Sequence, residues 1–179
     1  PVGVPVDGFV FGHRRSKTVP LVHEAFNWVH GVLMGSSISL DAIVARGKQK
    51  PATRDALSMM PFCGDNFNRY IKQWIQLRKF LGYSSPKMFS VNWFQEIDNR
   101  IIWPGFGENS RVLQWICDRI DGSVDATRTA IGYVPSVRDF NTTGLDLSPN
   151  TLMHLFTVDP TEWLAEVPQI RDFFSTFGA

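Results

Sequence analysis

The sequence lacks the short motifs that most often identify an enzyme. It contains no GxxxxGK[ST] phosphate loop, no HExxH, no GxSxG and no Cys/His spacing of the zinc-binding kind. Its two cysteines, Cys63 and Cys117, are isolated, which favours reduced thiols over a disulfide or a metal site. The four histidines are scattered along the chain. No complete catalytic set can therefore be assembled from motifs alone.

Strong net charge and long apolar runs are also missing. The chain has 18 Lys and Arg against 17 Asp and Glu, a net charge of +1, so no bulk field attracts nucleic acid or an anionic membrane. No apolar run approaches the length of a membrane span. We therefore expect neither nucleic acid nor a membrane as a partner. The 179 residues suffice for one domain with a real core, and the start at Pro1 without Met leads us to expect a piece of a larger protein.

The first third of the chain predicts short elements followed by a loop. Val4–Gly12 alternates loosely and predicts a strand. Val19–Trp28, with Pro20 near its start, predicts a short helix, and the apolar run His30–Ser37 predicts a buried strand. Ser39–Asp55 is polar, basic and interrupted by glycine and proline, which predicts a long mobile surface loop.

Three helices are predicted further along. Asp65–Gly82 carries an apolar stripe at helical spacing, a second helix ends at Gly122, and a third begins with Asp159 as its cap. Pro168 is expected to break or kink this last helix. Helices and strands alternate without repeats, so the fold class is mixed α/β.

Two strands are predicted between these helices. Lys87–Phe94 alternates as a strand, and Arg100–Trp103 is a short partner joined to it by a hairpin-like connection. If the hairpin folds in this way, Phe94 and Phe106 come from neighbouring strand ends and could face each other across a slot. Such a slot would accept a flat ring, since base stacking on aromatic side chains contributes on the order of 1–3 kcal/mol per base.

The glycines around Phe106 suggest that something approaches this ring. Gly105 and Gly107 remove side chains on both sides of Phe106, and Asn109 follows closely with an amide that could recognise the edge of a base. A hydrophobic mini-core beneath a turn explains the same spacing equally well.

A basic loop follows the first predicted strand. Arg14, Arg15 and Lys17 lie within four positions of "FGHRRSK", and the planar guanidinium of arginine matches two phosphate oxygens at once. The alternative is an ordinary solvated basic turn.

Together these segments resemble those of GTP-dependent phosphoenolpyruvate carboxykinases. The resemblance covers nearly all of this chain, but only about the C-terminal third of the family. It rests on six runs in the family's order: "FGHRRS", "VPLVHEAFNWVHGV", "MPFCGDNFNRY", "VNWF", "WPGFGENSRVL" and "IGYVP".

The resemblance implies a C-terminal, guanine-nucleotide-binding lobe (residues 1–179) with a lid-like loop at 39–55. The family converts oxaloacetate and GTP to phosphoenolpyruvate, GDP and CO2 with Mn2+ or Mg2+, a decarboxylation in gluconeogenesis. The expected partners are these substrates and the rest of a monomeric parent enzyme in the cytoplasm, with mitochondria as the alternative compartment. The family's phosphate loop and metal ligands lie upstream of the matched region, so we expect no metal ligand in this chain and no activity from it alone.

The resemblance also assigns residues. In the family, guanine lies between phenylalanines that match Phe94 and Phe106, beside a tryptophan that matches Trp93. Ile101 takes the place of a further phenylalanine. The asparagine matching Asn109 recognises the base edge, and the arginine matching Arg14 contacts nucleotide phosphate and is the one catalytic residue expected here.

Several positions depart from the family's pattern. The family usually has F-G-G-R-R-P where this chain has His13 and Ser16, and the lid is shorter, with Ser39 in place of arginine. Asp65 replaces a tyrosine. These changes favour an alternative function, a non-catalytic interaction or regulatory module. The intact aromatic and asparagine positions favour the nucleotide-binding part of an enzyme.

Overall fold

A computed structural model describes residues 3–41, 52–64 and 66–178. Within them the chain forms nine strands and five α-helices. The strands are β1 Gly8–His13, β2 Val22–Glu24, β3 Ser39–Leu40, β4 Thr53–Arg54, β5 Lys87–Asn92, β6 Glu96–Ile97, β7 Arg100–Ile101, β8 Thr127–Thr129 and β9 Gly132–Val134. The helices are α1 Trp28–Ser36, α2 Phe67–Leu81, α3 Asn109–Asp121, α4 Pro149–Phe156 and α5 Pro160–Ser175, with short 3-10 turns at Ala56–Ser58, Met60–Phe62 and Gly82–Ser84.

The centre of the fold is a mixed five-stranded sheet in the order β1-β5-β2-β9-β8. Strands β1 and β5 are parallel and in register from the pair Gly8 and Lys87 to the pair His13 and Asn92. The other neighbours in the sheet are antiparallel. The fold class is thus as the sequence predicts: mixed α/β.

Helices cover both faces of this sheet. Along β5, Met88 packs in a cluster with residues of α1 and α2, whereas Phe89 packs with residues of α3 and α4. Neighbouring residues of a strand point to opposite faces, so β5 is buried on both sides. This three-layer arrangement fixes the ends of β1 and β5, from which the candidate site is built.

Two predictions for the first third of the chain are wrong. Val19–Trp28 contains strand β2 rather than a helix, and His30–Ser37 belongs to helix α1 and its C-cap, Ser37, rather than to a strand. Asn27 caps this helix, because its side-chain oxygen accepts a hydrogen bond from the His30 backbone N–H. A short apolar run is compatible with a buried strand or a buried helix, and the neighbouring layers decide between them.

Glycine 31 allows α1 to lie close against β5. A Cβ at Gly31 would lie 2.6 Å from the Met88 Cβ and would also overlap its sulfur. We expect Gly31→Ala to lower the free energy of unfolding by roughly 1–3 kcal/mol through overpacking, although alanine is the better helix former. Gly12→Ala is the control, since nothing lies within 4 Å of its Cβ position. Urea unfolding of both variants tests this, and equal effects would contradict it.

The predictions for the three helices further along the chain are partly confirmed. Helix α2 begins and ends close to the predicted residues, and α3 ends at Asp121, directly before Gly122, which adopts the left-handed conformation. Asp159 caps α5 as predicted. The helix runs through Pro168 to Ser175, so the predicted break is wrong, whereas the alternative, a kink at Pro168, stays a prediction. Pro168 is exposed, so water can hydrate the carbonyl that its missing N–H would have bonded.

The predicted pairing of Arg100–Trp103 with Lys87–Phe94 is also wrong. Strand β7 pairs with β6, with Glu96 opposite Ile101, and the tight turn between them uses Asp98 and Asn99 at positive φ. Helix α4 was not anticipated from the sequence.

The two ends of the predicted lid-like loop are ordered. Strands β3 and β4 pair antiparallel, with Ser39 opposite Arg54 and Leu40 opposite Thr53. The central residues, 42–51, lie outside the described residues, as does Asp65. The prediction of mobility therefore stays a prediction for the central part.

Candidate functional site

Parallel pairing brings the basic loop that begins at Arg14 and the turn Trp93–Phe94, here called the aromatic turn, to one edge of the sheet. His13 and Asn92 are the last paired residues of β1 and β5, so Arg14 and Trp93 leave the sheet side by side. The carboxyl ends of parallel strands are where open α/β sheets commonly bind ligands. The basic loop and the aromatic turn are thus neighbours, although 78 residues separate them in the sequence.

Asn92 connects the basic loop to the aromatic turn through hydrogen bonds of its side chain. Its side chain is fully buried; its Oδ1 accepts from the Arg15 backbone N–H at 3.0 Å, and its Nδ2 donates to the Arg15 carbonyl at 2.9 Å. Sequence analysis did not single out this residue. The only signal was a polar residue at the end of a buried strand.

The aromatic turn follows directly. Trp93 is partly buried against the core cluster beside α3, whereas the Phe94 side chain is 36% exposed. The Ile102 N–H donates to the Gln95 carbonyl at 3.0 Å, which ties the hairpin β6–β7 back to this turn. Ile101, on that hairpin, is 54% exposed.

Phe106 stands free on the loop before α3. Its side chain is 98% exposed, and it forms no ring contact with another aromatic residue of the described chain. Gly105 adopts a φ of +93°, and no atom lies within 4 Å of a Cβ at Gly105 or Gly107. A hydrophobic mini-core around Phe106 is therefore excluded, and the space around the ring is open.

Asn109 is oriented by a buried tryptophan. Its Oδ1 accepts a hydrogen bond of 2.8 Å from the Trp103 indole N–H, and Trp103 is buried in the core. This bond determines which end of the amide faces outward. The two N–H donors of Asn109 have no partner among the described residues, so they are available to an acceptor on a ligand.

The basic loop is not a solvated turn. The Arg14 guanidinium donates through Nε and Nη2 to the Asp41 carbonyl, at 3.2 and 2.9 Å. Arg15 is buried and forms ion pairs with Asp41 at 3.1 Å and Glu166 at 2.6 Å. Arg14 is only half-buried and is the arginine that a ligand could reach.

Glu166 on α5 connects this loop to the base of the lid-like loop. Its second carboxylate oxygen accepts from Arg54 at 2.5 Å. Burial alone would raise the pKa of Glu166, but hydrogen bonds and charge from Arg15 and Arg54 outweigh it and lower the pKa below its ordinary value. The sequence carried no signal for this three-residue network, because its members are far apart in the chain.

His13, which departs from the family's glycine, lies inside the fold. Its Nδ1 accepts from the Ser39 backbone N–H at 3.3 Å. Burial, reinforced by the charges of Arg15 and Arg54, lowers the pKa of His13 to about 4, so its ring is neutral at pH 7.

Neither a cluster of metal-binding side chains nor a membrane-spanning helix is present among the described residues. They contain no group of three or more His, Cys, Asp or Glu placed to hold a metal ion. Among the helices described, none combines the length and the apolar character that crossing a bilayer requires.

Comparison with known proteins identifies the protein family. Residues 1–179 match the family model for the phosphoenolpyruvate carboxykinase C-terminal P-loop domain. Similar proteins are the GTP-dependent phosphoenolpyruvate carboxykinases of Chlamydia pneumoniae and Chlamydia muridarum, 44% and 45% identical over 182 residues, and that of Treponema pallidum, 44% identical over 184 residues. Each alignment covers 100% of this chain and 30% of the relative.

The chain belongs to the GTP-dependent phosphoenolpyruvate carboxykinase family, as the sequence resemblance predicts. It spans about 30% of the length of the curated relatives it matches.

Proposed function

We propose that this chain supplies the guanine-nucleotide site of an enzyme that converts oxaloacetate and GTP to phosphoenolpyruvate, GDP and CO2. The observation that carries the proposal is the shared sheet edge at which Arg14 and the Trp93–Phe94 turn emerge together. A phosphate-binding group and a stacking surface for a base are then on the same side of the fold, as a nucleotide requires.

In this proposal guanine stacks on exposed aromatic rings. Phe94 and Phe106 provide the faces, with Trp93 behind and Ile101 at the edge where the family has another phenylalanine. The ring of Phe106 is open to solvent, so stacking removes apolar surface from water without displacing a packed side chain.

Asn109 would select guanine over adenine. Its outward donors can bond the O6 acceptor of guanine, whereas adenine presents an amino donor at that position. A site whose donors meet another donor loses the hydrogen bond and leaves both groups unpaired.

Arg14 would hold a phosphate of the same nucleotide. Its guanidinium already rests on the Asp41 carbonyl, which limits the orientations it can adopt and leaves the charge uncompensated by that neutral partner. A guanidinium fixed in this way loses little conformational entropy on binding phosphate oxygens.

The segment Ser39–Asp55 would act as the lid in the parent enzyme. Its described ends support this role, because strands β3 and β4 pair with each other and Leu40 forms a β-bridge with Arg14. The described residues do not fit a metal site, so Mn2+ or Mg2+ would be bound by other parts of the parent, and we expect the 179 residues alone to show no turnover. The parent is proposed to be a cytoplasmic monomer that acts in gluconeogenesis.

The competing proposal is a non-catalytic interaction module. Ser39 stands where the family has an arginine, and its hydroxyl is buried against Arg15 rather than exposed to a ligand. This observation favours a lid that contributes less to substrate binding than in the family.

Nucleotide titration tests the proposal. By calorimetry we expect the chain to bind GTP more tightly than ATP, and Phe106→Ala to weaken GTP binding by about fivefold or more, from the stacking energy of roughly 1–3 kcal/mol. Because Phe106 is exposed, the same substitution should change the free energy of unfolding by less than about 0.5 kcal/mol.

Phe80→Ala is the matched control, because Phe80 is similarly exposed but lies on α2, away from the shared edge. It should leave GTP affinity unchanged. Equal affinity for GTP and ATP, or a Phe106→Ala variant that binds as well as the unmodified chain, would contradict the guanine site and favour the interaction module.

A further inference from the structure

A cavity of about 280 Å³ lies between helices α1 and α5. One face of α5, formed by residues Trp163, Glu166, Val167 and Ile170, closes it, and the turn between β8 and β9 forms another wall. Its surface is mainly apolar. None of the six residues assigned to the nucleotide site lines it.

The cavity contains hydrogen-bond donors without acceptors. The His13 Nδ1 accepts from Ser39, so the neutral ring carries its proton on Nε2, and this atom is buried without a partner in the described part of the chain. The Trp163 indole N–H is buried and unpartnered there as well. Both residues line the cavity. Leaving a buried donor unpaired costs on the order of 1–3 kcal/mol, so two of them around one cavity require an explanation.

The carboxylate acceptors nearby and the His30 acceptor are already in use. Both carboxylate oxygens of Glu166 are held, one by Arg15 and the other by Arg54. The His30 Nδ1 accepts from the Phe26 backbone N–H. The Nδ1 of His23, which also lines the cavity, is buried without a partner in the described part of the chain, and a neutral imidazole contributes one donor and one acceptor. The polar side of the cavity therefore offers more donors than acceptors.

The charges around the cavity are paired within the protein. Glu166 lies between two arginines, and Arg15 has a second carboxylate partner in Asp41. An ionic ligand would lose its hydration in a mainly apolar space without gaining an unpaired counter-charge, so the cavity disfavours ions. It is also larger than one water molecule needs, and its apolar walls offer few partners to a water cluster.

We infer that this cavity binds a small, uncharged molecule with an apolar body and a carbonyl oxygen that accepts from His13 and Trp163. Size, apolar walls and a few convergent polar groups are the usual properties of such sites. Leu33 and Val167, 48% and 47% exposed, form the rim through which the molecule enters. The inference does not depend on the proposed guanine site.

Two probes of similar size separate this inference from non-specific apolar binding. Acetophenone has the carbonyl acceptor, and ethylbenzene lacks it. In nitrogen-15 NMR spectra of the chain, acetophenone should shift the indole signal of Trp163 and the imidazole signal of His13. The indole of Trp115 is the internal control, since it is also buried without a partner but lies in the core. Absence of any acetophenone-induced shift at Trp163, or an equal shift at Trp115, would overturn the inference.

Matched substitutions on α5 test whether the molecule binds in this cavity. Ile170→Trp fills the cavity and should abolish acetophenone binding, whereas Leu164→Trp, on the exposed side of the same helix, should not. Trp163→Phe keeps an aromatic ring but removes the donor, and should reduce the preference for acetophenone over ethylbenzene by about three- to tenfold. Thermal melts establish that each variant is folded. Undiminished binding to Ile170→Trp, or an unchanged preference in Trp163→Phe, would refute the site.

Discussion

Glu166→Gln is expected to lower the free energy of unfolding by roughly 3–5 kcal/mol, the range for breaking a buried ion pair by removing one partner. Glu166 lies between the buried guanidinium groups of Arg15 and Arg54, at 2.6 and 2.5 Å. Glutamine has the same shape but no charge, so both arginines would stay buried with their main counter-charge removed. Arg15 keeps Asp41 and Arg54 keeps the Ser37 carbonyl, which places the expected loss toward the lower end of the range.

Asp172→Asn is the matched control for this substitution. It is also a carboxylate-to-amide change on α5, at an exposed residue, and should change stability by no more than about 0.5 kcal/mol. Urea unfolding at pH 7 measures both variants. If Glu166→Gln were as stable as Asp172→Asn, the network would contribute nothing to the fold, and α5 would be held by apolar contacts alone.

Stability is expected to fall by about 4 kcal/mol between pH 7.5 and pH 5, through His13 and His23. Burial, with the charges of Arg15 and Arg54, lowers the pKa of His13 to about 4; burial, with smaller effects of His13 and His30, lowers the pKa of His23 to about 3. In the unfolded chain both titrate near their ordinary value of about 6.5. The unfolded state therefore takes up protons first as the pH falls, and each group costs up to about 1.36 kcal/mol per pH unit.

The direction of this pH effect and the pH range in which it acts follow from the lowered pKa values of His13 and His23. The neutral forms stabilise the fold fully above pH 6.5, and this contribution is lost progressively as the pH falls toward 4 and 3. Urea unfolding at pH 7.5, 6 and 5 measures the slope. His23→Phe removes one titrating group and should roughly halve the pH dependence in this range. A slope unaffected by this substitution would show that His23 is not the group responsible.

The sequence predicted those elements whose signals are local. Helix α2 has an apolar stripe over four turns, and α5 has Asp159 and Pro160 at its start, so neither depends on distant residues. The strand predicted for His30–Ser37 was wrong because the run is short and mostly apolar or small, so it shows no clear helical period. A helix there also requires Gly31 to pack on Met88. That contact cannot be seen from the local sequence.

The features of the candidate site likewise fall into those that a local sequence pattern predicts and those that depend on distant residues. Phe106 between two glycines is a local pattern, and its exposure in the structure agrees with the expectation drawn from it. The orientation of Asn109 depends on Trp103, which sequence analysis placed in a strand rather than in the core. The buried network of Arg15, Arg54 and Glu166 joins residues up to 151 positions apart, and no spacing rule relates them.

The sequence by itself determined the fold class, the family and the residues able to stack on a base or bind a phosphate, because each depends on residue type and near-neighbour order. Only the tertiary structure decided which of them meet. Parallel pairing of β1 with β5 sets the basic loop beside the aromatic turn, and the placement of α5 opposite α1 encloses the cavity with its unpaired donors. Both results depend on strand order and helix placement, which arise from burying distant apolar surfaces together rather than from any local pattern.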